Sequence, residues 1–213
     1  MTKKLLTAAV LIAGPLLAAS AAYANPLDIG IGNPPVQVAG QNNIPPQIIQ
    51  KSGTSGNFAY SVTAAVDMEP NLFSNTLDIS SSGAGTLRVW VSALNNFPIP
   101  GAFLSSFTSN LLPSGWSVEM LTFANNNNTE FATQDLLYSH TFTSATAASQ
   151  TDIPSPGLVA PYGLTEEFII TASGSGTTND TIDLTAAPEP ASLTLVGSAL
   201  IGLGLLRWRR RNA

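Results

Sequence analysis

The sequence predicts an all-β fold, a β-sandwich of jelly-roll or immunoglobulin-like type, flanked by an N-terminal signal peptide and a C-terminal transmembrane helix. Three observations carry this reading. Between residues 58 and 185, apolar side chains recur at every second position in short runs, the period of a half-buried strand. Gly, Pro and Asn, the residues of tight turns, separate those runs. Ser, Thr and Asn supply 52 of the 163 residues from Asn25 to Ala187, and their side chains compete with a helix for its backbone hydrogen bonds.

The first 24 residues read as a secretory signal peptide. Lys3 and Lys4 give a positive start, Leu5 to Ala19 form an apolar run broken at Gly14-Pro15, and Ala22-Tyr23-Ala24 is a small-residue cleavage site. Signal peptidase is expected to cut after Ala24, with Ala22 and Ala24 as the small residues of its site. An exported chain without cysteine has no disulfides and must hold itself together by packing alone.

Residues 25–50 carry two Pro-Pro pairs and no sustained period, and are expected to form a Pro-rich extended arm with at most an edge strand. Residues 51–186 are expected to form the sandwich domain. Phe58, Tyr60, Val62, Ala64 and Val66 share one face of a strand. Leu77 and Ile79 begin a second, Ser81 to Gly85 turn the chain, and Leu87, Val89, Val91 and Ala93 make a third, which predicts a hairpin with a five-residue loop. Further strands are expected over Trp116 to Ala124, Leu136 to Thr143, Leu164 to Ala172 and Thr181 to Thr185, about seven in all. In the second of these, Leu136, Tyr138, His140 and Phe142 are expected on one side. Gly101 to Leu112 is compatible with a short helix or a turn. The four asparagines Asn125 to Asn128 read as a loop, and Ser173 to Gly176 as a flexible turn, since a phosphate loop would need a Lys and a following helix.

The last segment, 187–213, differs in kind. Ala191 to Leu206 contains no charged residue, about 24 Å of helix, which is short for a hydrocarbon core of about 30 Å. Trp208 at the interface and the snorkelling side chains of Arg207, Arg209, Arg210 and Arg211 extend its reach. Arginines at the end of a span stay on the cytoplasmic side, so the segment is a stop-transfer signal with the sandwich outside. Just before it, Pro188 and Pro190 flank Glu189 and favour an extended, accessible backbone.

Pro188-Glu189-Pro190, then a glycine-containing apolar helix, then terminal arginines, resembles the PEP-CTERM sorting signal of Gram-negative bacteria. The resemblance covers only about Ala187 to Arg211. It implies recognition by an exosortase, a membrane-embedded protease or transpeptidase, and a precursor held at the inner membrane before release to the cell surface or extracellular matrix. A Leu-Pro-x-Thr-Gly sortase motif is absent, and a GPI-type tail does not end in arginines.

Charge and chemistry narrow the function of the exported part. From Asn25 to Ala187, 12 acidic residues face only Lys51 and Arg88, a formal charge of −10. No nucleic-acid partner is expected of so acidic a chain. His140 is the single histidine and reads as a satisfied, partly buried side chain. It cannot build the usual zinc site, and no G-x-S-x-G elbow surrounds any serine. Asp67 with Glu69, Glu166 with Glu167, and Asp180 with Asp183 are the carboxylate pairs that glycoside hydrolysis would draw on. No metal site or cofactor is expected. Calcium is the one ion that such loop carboxylates suit, although the D-x-[DN]-x-[DN]-G loop is absent.

Trp90, Trp116 and Tyr162 are candidate glycan contacts, because an aromatic ring offers a sugar a flat apolar face. Trp90 faces away from the Leu87, Val89 and Val91 set. Core packing against a second sheet is the competing role for all three. The leading reading is therefore a non-enzymatic exported protein with a structural or adhesive role at the cell surface or in a biofilm matrix. A carbohydrate-binding module contacting exopolysaccharide is the alternative, and a secreted glycan hydrolase the third.

Overall fold

The structure is a computed structural model, which describes residues 25–43, 46–67, 70–187 and 200–201. The signal peptide with Ala22 and Ala24, the Pro188-Glu189-Pro190 motif and the arginine cluster lie outside the described residues. So does the 191–206 span, apart from Leu200 and Ile201, which are helical and exposed.

The described residues contain twelve strands: β1 (Asn25–Ile31), β2 (Val36–Asn43), β3 (Gln47–Ser55), β4 (Phe58–Val66), β5 (Leu72–Ser81), β6 (Gly85–Asn96), β7 (Ala102–Leu111), β8 (Ser117–Asn125), β9 (Asp135–Phe142), β10 (Ala147–Pro154), β11 (Tyr162–Ala172) and β12 (Gly176–Ala186). They form two six-stranded sheets. Sheet A has the order β2-β1-β6-β11-β8-β9, and sheet B has the order β10-β7-β12-β5-β4-β3. Every paired neighbour is antiparallel. The sheets face each other, with β1 near β3 and β4, β11 near β5, and β9 near β10 and β7. This is an all-β sandwich.

The alternating strands meet across the interface. Leu87, Val89, Val91 and Ala93 of β6 lie beside Ile170, Phe168 and Leu164 of β11, all buried. From sheet B, Val62, Leu77, Ile79, Phe103, Phe107, Ile182 and Leu184 fill the same core. Phe107 of β7 stacks on Phe142 of β9 at a centroid distance of 3.9 Å, bridging the two sheets. Burying each such side chain stabilises the fold by about 1.5–3 kcal/mol, which is how a chain without cysteine holds together.

Four expectations are corrected. Residues 25–50 are not an arm but β1, β2 and the start of β3. Leu27, Ile29 and Ile31 alternate into the core, while Pro34, Pro35 and Pro46 sit in connections, where proline removes no ladder bond. Gly101 to Leu112 is largely β7, whose inner face alternates Phe103 and Phe107 with the buried polar Ser105 and Ser109, hiding its period. The predicted hairpin around Ser81 to Gly85 is instead a crossing between sheets: β5 pairs with β4 and β12, β6 with β1 and β11. Both strands carry an apolar face, and the crossing turns those faces toward one another. The Ser82 amide anchors it by donating to the Asn57 carbonyl at 3.0 Å, and Asn57 Nδ2 donates to the Ala84 carbonyl at 3.2 Å.

The fourth correction is local. The register between β8 and β9 shifts at Thr122/Phe123, pairing Thr122 with Tyr138 but Phe123 with Leu136. The extra residue of this bulge, Leu137, turns Leu136 to the outer face, where it is 55% exposed. The Asn125 to Asn128 stretch is a clamp as well as a loop. Asn128 exchanges two hydrogen bonds with Asn95 at 2.8 and 2.7 Å, and Asn126 Oδ1 accepts from the Val159 amide at 2.7 Å.

Candidate functional site

Strand periodicity separates the carboxylate pairs. Glu166 and Glu167 are adjacent on β11, so they point to opposite faces of sheet A. Glu166 enters the core, where Ser74 of sheet B donates to its Oε2. Burial holds its carboxyl well above the usual range, and the Ser74 hydroxyl only partly offsets that. Glu167 lies on the outer face and accepts from Arg88 Nη1 at 2.6 Å. Burial raises its carboxyl too, against the opposing pull of Arg88.

Asp180 and Asp183 are split in the same way. Asp180 is fully buried and accepts from Thr178 Oγ1 at 2.8 Å. Burial pushes its carboxyl to about 6. Asp183 is on the outer side, beside Ser106. Asp67 accepts from Asn71 Nδ2 at 3.1 Å, and Glu69 lies outside the described residues. Neither of the two described pairs is brought together in a cleft.

The three aromatic candidates are interior, which corrects the stacking platform. Trp90 is 5% exposed, Trp116 2% and Tyr162 0%. The Trp90 indole donates to the Gly32 carbonyl at 2.9 Å, and the Tyr162 hydroxyl donates to the Pro98 carbonyl at 3.0 Å. Trp90 does face away from Leu87, Val89 and Val91, as alternation requires, but that outer face is itself covered. His140 is also corrected: it is exposed rather than partly buried. Its ring meets Phe142 at a centroid distance of 4.6 Å and lies parallel to Tyr138 at 6.3 Å.

The open, polar surface lies on the outer face of sheet B. Ser52, Ser61, Asp78 and Asn179 stand in register on β3, β4, β5 and β12. Ser52 Oγ donates to Ser61 Oγ at 3.1 Å, Asn179 Nδ2 donates to Asp78 Oδ1 at 2.5 Å, and Asn110 Nδ2 of β7 donates to Asn179 Oδ1 at 2.7 Å. The row crosses five strands, about 19 Å at the usual strand spacing. A shallow groove of about 390 Å³ lies over its centre at Ser61, Asp78 and Asn179, with Ser80, Thr177 and Leu111 in its walls. Sequence reasoning passed over these residues because each is an unremarkable polar position on its own strand. Their one legible signal is the polar half of the alternation in β4, β5 and β12.

Such a row can exchange hydrogen bonds with a hydroxyl-rich ligand. Asn presents both a donor and an acceptor, Ser and Thr do the same through one atom, and a carboxylate accepts at both oxygens. Among the described residues, no group of three or more His, Asp or Glu side chains converges to hold a metal ion.

No protein-family model matches this sequence, and no curated protein does either. Several solved structures resemble the chain in part. TmCBM61 in complex with beta-1,4-galactotriose matches at a TM-score of 0.37 and 8% identity, over 53% of this chain and 70% of that one. The family 11 carbohydrate-binding module of a cellulosomal cellulase from Clostridium thermocellum matches at 0.33 and 12%, over 67% and 89%. Xylanase10C from Cellvibrio japonicus, in complex with xylopentaose, matches at 0.37 and 8%, over 67% of this chain but only 27% of the enzyme. At these TM-scores the likenesses carry no argument about what this chain does.

Proposed function

We propose that this chain is a non-enzymatic, exported β-sandwich that binds polysaccharide at the cell surface or in the extracellular matrix through the outer face of sheet B. The observation that carries the reading is the polar row Ser52-Ser61-Asp78-Asn179-Asn110, joined by three side-chain hydrogen bonds, with a groove over its centre. It replaces Trp90, Trp116 and Tyr162 as the contact surface. A binding role is supported over hydrolysis by the separation of Glu166 from Glu167 and of Asp180 from Asp183. Six strands in each sheet favour the jelly-roll side of the expected architecture over an immunoglobulin domain of about 7 to 9 strands.

The two ends of the chain deliver it. The signal peptide is removed after Ala24, the 191–206 helix and its arginines hold the precursor at the inner membrane, and an exosortase processes the chain at Pro188-Glu189-Pro190.

Retention on the producing cell's exopolysaccharide tests the binding reading. Asp78→Ala and Asn179→Ala are each expected to weaken retention about tenfold, the scale of a hydrogen bond involving a charged or well-placed polar group, without lowering Tm. Unchanged retention in the double variant removes the face from consideration. Mass spectrometry of the mature C-terminus, with and without exosortase, tests delivery. A terminus near Pro188 to Ala191 is expected, and intact Arg211 at the surface of normal cells leaves a simple tail anchor.

A further inference from the structure

Over β1 the outer face of sheet A is covered, and the cover carries a carboxylate whose charge acts on a buried one. The 126–134 connection between β8 and β9 folds back over β1. The Phe131 ring lies so close to Gly30 that a Cβ there would come within 2.9 Å of Phe131 Cζ. Phe131 holds φ at 52° and Asn128 at 50°, left-handed values that non-glycine residues adopt only when their surroundings enforce them. Asp28 lies two residues before Gly30 on the same face of β1, since Asp28 pairs with Ser92 and Gly30 with Trp90. Glu130, next to Phe131 and exposed, is thereby placed where its charge acts on Asp28.

Asp28 is 3% exposed. Its Oδ1 accepts from Gln37 Nε2, but Oδ2 has no hydrogen-bond partner among the described residues. Thr165, two strands away in the same cross-strand row and fully buried, also leaves its Oγ1 without a partner. A buried carboxylate oxygen with no donor is unfavourable chiefly by desolvation, and the charge of Glu130 adds to that. Among the described residues no cation relieves it. Arg88, on this face, is engaged with Glu167, and Lys51 is on the other sheet.

We propose that Asp28 and Glu130 bind a hard divalent cation, calcium, which clamps the 126–134 connection onto β1. Unpaired carboxylate oxygens are the donors that calcium selects, and a bound water would not remove the like-charge repulsion. With two carboxylates, the remaining coordination falls to water, hydroxyl and carbonyl oxygens. Half-saturation then belongs in the range of extracellular modules, about 0.1–1 mM. This site is on the sheet opposite the polysaccharide groove, so either can fail without the other.

The full chain, stripped with EDTA, is titrated with CaCl₂ against a MgCl₂ control while Tm is followed, and with Tb³⁺ while luminescence sensitised through nearby Trp90 is read. Calcium is expected to raise Tm by several degrees and to displace Tb³⁺. Asp28→Asn and Glu130→Gln are each expected to weaken the response at least tenfold. Glu130 is exposed, so its variant keeps the test valid should Asp28→Asn fold poorly. A chain whose Tm ignores calcium, or a calcium shift of equal size in Glu130→Gln, overturns the proposal. So does a calcium-independent chain whose acid stability alone is altered by Asp28→Asn, because the two carboxyls would then share a proton.

Discussion

The Ser74 hydroxyl of sheet B donates a hydrogen bond to Oε2 of Glu166 in sheet A, across the middle of the core. Beside it, the hydroxyls of Ser105 and Thr122 meet at 3.2 Å, again from opposite sheets. Thr122 pairs with Glu166 in sheet A, so the two contacts form a polar seam in an otherwise apolar interface. Directional bonds of this kind fix how one sheet registers on the other, which apolar packing alone leaves looser.

Glu166→Gln keeps an acceptor for Ser74 and removes the ionisation that burial opposes. It is expected to raise Tm at pH 7 to 8 and to leave Tm unchanged at pH 4.5. Thermal melts at the two pH values check this. Equal Tm for variant and parent at both would mean that Glu166 adds no proton linkage.

The pH dependence of the whole domain should run opposite to ordinary acid denaturation. Burial raises the carboxyls of Asp28 and Asp180 from 3.8 to about 6. An acid whose folded pKa exceeds its unfolded value binds more protons when folded. Its contribution to stability is therefore full below about 4 and lost as pH rises to about 6. Denaturant midpoints are expected to fall between pH 4.5 and 6.5, less steeply in Asp180→Asn. A midpoint that rises over that interval contradicts the assignment.

Trp90→Ala is expected to destabilise by about 3–5 kcal/mol, the cost of emptying a large buried site. Trp90→Phe should lose only the Gly32 hydrogen bond and some packing, about 1 kcal/mol. Polysaccharide retention by folded Trp90→Phe should match that of the parent chain. A selective loss of retention would restore Trp90 to the binding surface.

Gly30→Ala forces the Phe131 ring away from β1. The expected cost is about 1–3 kcal/mol, typical of overpacking. Chemical denaturation measures it, and faster proteolysis within 126–134 should accompany it. A neutral substitution would mean that the ring yields without disturbing the connection.

The sequence by itself determined the strands with strict apolar alternation, of which β4 and β6 are the clearest, because period 2 is a property of one strand and needs no partner. It determined the two terminal signals as expectations in the same local way. It also placed Trp90 opposite Leu87, Val89 and Val91. Local pattern misled wherever the partner supplied the meaning. The 25–50 segment looked like an arm because its Pro-Pro pairs masked Leu27, Ile29 and Ile31, and β7 was hidden by Ser105, which is polar yet satisfied by Thr122 across the core.

Only the tertiary structure decided which strands hydrogen-bond and which face each other. It sent β5 and β6 to different sheets, covered the outer face around Trp90, split Glu166 from Glu167 and aligned Ser52, Ser61, Asp78, Asn179 and Asn110 into one row. The physical reason is that burial and cross-strand register depend on residues far apart in the chain, from Gly30 beneath Phe131 to Ser74 against Glu166. A strand's own sequence shows that it has two faces, while the neighbouring strands determine what each face meets.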